Sequence, residues 1–211
     1  MPNKDEKDKD ILPLAMPRSS DYKIEQELYT KNAELDAINE LLSLTQELYE
    51  ISLLSIDPAA LAERIATTMR DRLHLEMAGV FLFNREQDVL TPLAFAKSER
   101  LLATLRQFGF LLRDISITEI TKRPAFKNIF NGKPFVTANA SDVWGGLIQS
   151  KDIEKFSLSA NLKTIIIYPL LTEERVIGTV LLGYTSPYEQ FSQIEKESIK
   201  SFANVIAGAL D

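Results

Sequence analysis

Residues 164–210 read TIIIYPLLTEERVIGTVLLGYTSPYEQFSQIEKESIKSFANVIAGAL. Two apolar runs rich in β-branched residues, about 164–171 and 175–184, flank a charged turn and predict a β-hairpin. After the break at Pro187, Ser192 and Glu195 have the S-x-x-E spacing of a helix N-terminal capping box. The apolar residues that follow recur at helical spacing, which predicts a closing amphipathic helix. One face of the hairpin is expected to pack on this helix, and the other face is where we expect function.

The composition favours a folded protein that does not bind nucleic acid. Hydrophobic residues make up 45% of the 211 residues and charged residues 26%, which is enough to bury a core. The net charge of −6 argues against phosphate binding, since that needs clustered Lys and Arg. There is no Cys, which excludes disulfides, thiolate catalysis and Cys-ligated zinc. No apolar run reaches the roughly 20 residues of a membrane helix, and the start lacks a signal-peptide core. We therefore expect a cytoplasmic protein.

The N-terminal quarter divides into two parts. Residues 1–20 are charged and Pro-broken, which predicts a disordered tail. Residues 21–56 hold a Gly- and Pro-free amphipathic stretch with heptad spacing, typical of a coiled coil. One explanation is a helix that mediates dimerisation, and the alternative is a long helix packed only on its own domain. The heptad positions predicted for a dimer interface are Leu28, Leu35, Ile38, Leu42 and Tyr49, with a second apolar stripe at Leu41, Leu44, Leu48 and Ile51.

Residues 57–211 predict one α+β domain with an antiparallel sheet. Asp57 followed by Pro58 is a helix start, because a capping carboxylate precedes proline at the first helical position. Pro92 lies within an apolar run and, lacking an N–H donor, indicates an edge or bulge. We expect the terminal helices on one face of the sheet and a loop excursion over the other. The predicted elements before residue 164 are helices at about 57–74, 98–107 and 123–130, strands at 77–83, 89–95, 110–117 and 135–138, and an irregular excursion at 139–161 with a short helix near 151–157.

The order of these elements and several segments resemble a GAF domain, a small-molecule sensor module of bacterial signalling proteins. The segments are DPAALAERIATTM (57–69), AGVFLF (78–83), KPFVTANASD (133–142), IIIYPLLTEERVIGTVLLGY (165–184) and FSQIEKESIKSFANVIAGAL (191–210). The resemblance covers about residues 48–211, and the upstream heptads resemble the signalling helix that often precedes such domains. It implies a PAS-related fold and a homodimer that binds a small ligand under the excursion. It also implies output through the terminal helices to an enzyme such as a histidine kinase of a two-component system. That enzyme domain would follow Asp211 if the sequence is part of a longer protein, and a stand-alone sensor would have none.

Departures from the family narrow its possible chemistry. Covalent bilin attachment and free-methionine-sulfoxide reduction both use Cys in this family, and the sequence has none. After Lys151 and Phe156, the Asp-Glu pair of the phosphodiesterase cyclic-nucleotide signature is missing. The lone His74, near a predicted helix end, is better explained as structural than as a phosphoacceptor or metal ligand. No catalytic motif is present, so no enzyme activity and no metal site are expected, and the cofactor is left open.

The candidate pocket residues come from the excursion and the sheet. Trp144 lies in a polar loop, where it either pins the loop to the domain or covers a pocket, and Asp142 supplies a polar anchor or simple turn chemistry. Strand alternation places Thr179 and Leu181 on one face, where we expect the pocket, with Phe110 and Tyr168 as further walls. Three functions remain open: a small-molecule sensor, a ligand-free dimerisation module, and a sensor that binds tetrapyrrole or haem non-covalently.

Overall fold

The structure, a computed structural model, describes residues 19–54, 57–108, 116–146, 150–173 and 175–210. The helices are α1 (Ser19–Leu54), α2 (Pro58–Arg72), α3 (Glu99–Phe108), α4 (Pro124–Phe130), α5 (Ser141–Trp144), α6 (Ser150–Ser159) and α7 (Gln193–Leu210). The strands are β1 (Met77–Asn84), β2 (Val89–Lys97), β3 (Ile117–Thr118), β4 (Phe135–Thr137), β5 (Thr164–Thr172) and β6 (Arg175–Tyr184). Short 3-10 turns occupy Ile120–Lys122 and Tyr188–Gln190.

The strands form one antiparallel sheet in the order β3-β2-β1-β6-β5-β4. The two hairpins predicted from the sequence, β1–β2 and β5–β6, form the four middle strands. They join through β1 and β6, where Met77 pairs with Gly183 and Leu82 with Gly178. The α+β fold class and the antiparallel sheet are therefore confirmed.

Each face of the sheet is covered by a different set of helices, and each carries its own hydrophobic core. On the first face, called the back face here, strand residues pack with α2, α7 and the C-terminal part of α1. On the opposite face, called the front face, strand residues pack with α3, α4, α5 and α6. The predicted division between terminal helices and excursion is confirmed.

Adjacent residues of β6 belong to different cores. Val180 and Leu182 are buried in the back core, whereas Leu181 is buried in the front core. Gly178 lies close to the neighbouring strand, because a Cβ there would come within 2.1 Å of the Phe81 carbonyl oxygen. A side chain at this position would force β1 and β6 apart.

The local signals read from the sequence explain several element ends. Asp57 caps α2 by accepting from the N–H groups of Ala59 (3.4 Å) and Ala60 (3.0 Å). Ser192 and Glu195 form the predicted capping box, with the Glu195 N–H donating to Ser192 Oγ at 3.2 Å and the Ser192 N–H donating to Glu195 Oε2 at 2.7 Å. A register shift between Val80 and Phe81 faces the Pro92 region of β2, so the predicted bulge is present.

The excursion contains more helix than the sequence indicated. It holds α5 and the ten-residue α6, where we expected irregular chain with one short helix. Of the strand predicted at 110–117, residues 110–115 lie outside the described residues, and β3 begins only at Ile117. The predicted tail lies outside the described residues up to residue 18. A boundary between two compact units falls within α1, between Asn39 and Glu40. No helix among the described residues is long and apolar enough to cross a membrane.

Replacing Ser192 with Ala should destabilise the domain by about 1 kcal/mol, because the N–H of Glu195 loses its acceptor at the start of α7. Urea unfolding measures the change. Ser201→Ala is the control, since Ser201 is exposed within the same helix and Ala is the better helix former. Equal effects of the two substitutions would contradict the capping role.

Candidate functional site

The floor of the candidate site is the front face of β1 and β6. Phe81 and Thr179 are direct cross-strand partners, and Leu181 follows two residues along β6. All three side chains are buried, with Thr179 only 2% exposed. The structure thus places Thr179 and Leu181 on the face covered by the excursion, as strand alternation predicted.

Thr179 is a polar side chain in an otherwise apolar floor. Of the other buried polar side chains, Glu76 accepts from the Ser98 hydroxyl, Thr104 donates to the Arg100 carbonyl, and Thr164 donates to the Ser186 carbonyl. The Thr179 hydroxyl is the polar group among the three floor residues.

Trp144 anchors the excursion to the front face. Its side chain is 1% exposed and meets the ring of Phe156 edge-on, with centroids 6.2 Å apart and planes at 88°. Edge-to-face contacts of this kind stabilise beyond the area they bury. The Trp144 ring thus packs α5 against α6.

Arg123 ties the same segment to the sheet. Its Nε donates to the carbonyl of Thr118 at 2.9 Å, and its Nη1 donates to the carbonyls of Gly145 at 2.9 Å and Val143 at 3.3 Å. One guanidinium thus satisfies carbonyls from β3 and from the end of α5. The sequence carries no signal for the bonds to Val143 and Gly145, because these residues lie 20 and 22 positions from Arg123.

Asp142 belongs to a polar turn. Its carboxylate accepts from the Thr137 hydroxyl at 2.5 Å, while Ser141 donates from its N–H (3.0 Å) and hydroxyl (2.8 Å) to Asn139 Oδ1. Asp142 itself is exposed. Its carboxylate therefore closes the turn at the start of α5.

Two further candidates are not on the described floor. Tyr168 pairs with Val180, whose side chain lies in the back core, and Tyr168 packs against that same core. The pairing register puts Tyr168 behind the sheet, which corrects its expected place as a wall of the front pocket. Phe110 lies outside the described residues.

The heptad residues of α1 are largely exposed. Leu28, Leu35, Leu42 and Tyr49 are each between 55% and 62% exposed, and Ile38 is half-buried. Leu44, Leu48 and Ile51, from the second predicted stripe, are buried in the back core. The C-terminal part of α1 thus packs in the back core through Leu44, Leu48 and Ile51, while Leu42 and Tyr49 of the same part are exposed.

The remaining chemistry is sparse. His74 is exposed and has a left-handed backbone (φ 51°) at the end of α2. In the part of the chain that the structure describes, no group of three or more His, Asp or Glu side chains is placed to hold a metal ion.

The model of the GAF domain family matches residues 57–210. The chain belongs to the GAF family. GAF domains are sensory and regulatory modules of signalling proteins, and the match covers the sheet, the excursion and α7. A comparison with curated protein sequences found no match.

Solved GAF domains have the same fold at low sequence identity. The phycocyanobilin-bound GAF domain of a cyanobacterial phytochrome is 13% identical, with a TM-score of 0.60 over 81% of this chain and 93% of that one. The GAF domain of a Coxiella burnetii phosphoenolpyruvate-protein phosphotransferase is 10% identical, with a TM-score of 0.60 over 82% and 94%. The free methionine-R-sulfoxide reductase of Neisseria meningitidis, solved with its substrate, is 14% identical, with a TM-score of 0.57 over 81% and 87%. At 10% to 14% identity, the likeness extends to the fold alone.

Replacing Arg123 with Ala should loosen the excursion and expose the single Trp. Loss of the bonds to the Val143 and Gly145 carbonyls frees the chain next to Trp144, so acrylamide should quench its fluorescence more strongly. Lys122→Ala is the control, because exposed Lys122 pairs only locally with Glu119. Unchanged quenching in Arg123→Ala would show that Arg123 does not hold the loop.

Proposed function

We propose that this GAF domain is the sensory and dimerisation module of a cytoplasmic signal-transduction protein, such as a histidine kinase of a two-component system. It binds a small molecule between the front face and the excursion and relays the bound state through its terminal helices. It performs no catalysis. The observation that carries this proposal is the arrangement of β6. Its alternate residues pack against the excursion on the front face and against the terminal helices on the back face.

Support for a ligand site comes from the front face. Phe81 and Leu181 supply an apolar floor, and Thr179 adds a buried hydroxyl to it. Small-molecule sites are commonly apolar with a few convergent polar groups. A guest on this floor displaces or reorders the excursion rather than the strands, because β6 is held by strand pairing with β1 on one side and β5 on the other.

Support for the relay comes from the back core. Val180 and Leu182 of β6 share this core with Leu48 of α1 and Phe202 of α7. Arg72 of α2 also reaches α1, with Nη2 donating to Ser43 Oγ at 3.1 Å. A shift of β6 is therefore felt by both terminal helices. Ligand binding acts as a population shift, favouring the helix packing that suits the occupied front face.

A ligand-free dimerisation module is the second candidate. It is favoured by the large side chains that already fill the front core, since Trp144, Phe126 and Phe156 are all fully buried there. In that case the excursion stays packed on the front face and admits no ligand. The exposed heptad residues of α1 then mediate the dimerisation that is the module's function.

A ligand screen separates these candidates. Thermal shift and calorimetry with cyclic nucleotides, amino acids, biliverdin and haemin should identify one class that raises the melting temperature. Thr179→Val should then weaken binding of that compound about two- to tenfold, because its hydrogen bond to the ligand is lost. Thr118→Val, at an exposed threonine of β3, serves as the control and should bind normally. If no class shifts the melting temperature, the ligand-free module is the better account.

Dimerisation through α1 is tested by placing charge in the heptad stripe. Leu35→Asp combined with Leu42→Asp should give a monomer by light scattering, because two carboxylates per helix cannot be buried unpaired in a helix–helix seam. Ala33→Asp with Ala37→Asp is the matched control, since these exposed residues lie on the opposite side of the helix at 3.6 residues per turn. A dimer that persists in the leucine variant would move the interface elsewhere.

A further inference from the structure

A groove on the back face lies between the outer end of the sheet and α7. It has a volume of 260 Å³ and a floor formed by Val136 of β4, Ile166 of β5 and Ile199 of α7. Its position follows from how the helices share this face: α2 packs on β1 and β2, whereas α7 packs on β5 and β6. The short edge strand β4 extends beyond this cover, and the groove forms there.

Two tyrosines and two lysines surround this apolar floor. Tyr168 and Tyr188 form part of the wall, and Lys196 and Lys200 project from successive turns of α7. The Lys196 Nζ lies 4.6 Å from the centre of the Tyr188 ring, a cation–π distance. Within the described part of the chain, neither lysine forms an ion pair. Glu197 also lines the groove, so its rim carries two cations and one anion.

The phenol of Tyr168 adds a hydrogen-bond donor. Burial, with a smaller effect from nearby Tyr188, raises the pKa of the Tyr168 hydroxyl above its ordinary value. The group therefore stays protonated at neutral pH and can donate to an anion. An oxyanion held by protonated amines and a phenol makes charge-assisted hydrogen bonds, which are stronger than neutral ones.

We propose that this groove binds a small aromatic carboxylate, with its ring on the Val136–Ile166–Ile199 floor and its carboxylate between Lys196 and Lys200. Aromatic rings favour the offset or edge-on contacts that the two tyrosines offer. The volume lies just below the roughly 300–1,000 Å³ usual for small-molecule sites, which limits the guest to one or two rings. This site is separate from the front-face site, because the sheet lies between them.

Occupancy of the groove affects α7 directly. The guest contacts the sheet through Val136 and Tyr168 and contacts the helix through Lys196 and Ile199. It therefore stabilises the packing of α7 on β5. Helix α7 is also the output helix in the proposed function. A carboxylate metabolite in this groove would act as a second input to the same helix.

The test uses 1-naphthoate and its neutral analogue 1-naphthamide, measured by calorimetry and saturation-transfer NMR on the whole chain. The wild-type protein should bind naphthoate and bind the amide more weakly. Lys196→Gln combined with Lys200→Gln should weaken naphthoate binding at least about fivefold and leave the amide unchanged, because only the charged contacts are lost. Lys127→Gln, at an exposed lysine of α4, is the control and should bind like wild type.

A second variant tests the floor without altering charge. Val136→Phe should fill the groove and abolish binding of both probes, while far-UV circular dichroism confirms that the domain is folded. The proposal is overturned if naphthoate does not bind, if it binds the double lysine variant as well as wild type, or if the amide binds equally well. It is also overturned if the lysine substitutions change the oligomer mass in light scattering and not the naphthoate affinity, since the groove would then be a contact between chains.

Discussion

The structure depends on strand β6 being buried on both sides. A β-strand directs successive side chains to opposite faces, so Val180 and Leu182 enter the back core while Thr179 and Leu181 enter the front core. Neither core is complete without β6, and its pairing with β1 holds the two hairpins together. Gly178 permits the close approach of these strands, since any Cβ there would collide with the Phe81 backbone. The two cores therefore meet at a single strand.

The two helical layers are each held to the sheet by a hydrophobic core. On the back face, α2, α7 and the C-terminal part of α1 pack in one core, with explicit caps at Asp57 and Ser192. On the front face, α3, α4, α5 and α6 pack in a second core of buried side chains. Within that layer the four-residue α5 and the ten-residue α6 are joined by the Trp144–Phe156 pair, and Arg123 binds carbonyls at the end of α5. The layers therefore differ in the length of their helices and not in the continuity of their packing.

Much of this fold was predictable, because its signals are local. The two hairpins, the cap at Asp57, the capping box at Ser192 and the bulge opposite Pro92 each follow from residues near one another in sequence. Features that depend on strand register or long-range contact were not predictable. Tyr168 was expected on the front face, but its pairing with Val180 places it in the back core. Arg123 gave no sign of its carbonyl partners, and α6 extends further than the polar composition of its segment indicated. Strand alternation therefore gave the correct face for Leu181 on β6, and the contacts within the excursion could not be foreseen.

Native-state hydrogen exchange followed by mass spectrometry tests the central role of β6 most directly. If β6 completes both cores, the amides of β6, β1 and β5 should exchange last, at the free energy of global unfolding. The amides of α6 and α7 should exchange no later than these strand amides. Exchange of β6 before either α6 or α7 would show that one layer persists without the strand. That result would contradict the account of β6 as the element shared by both faces.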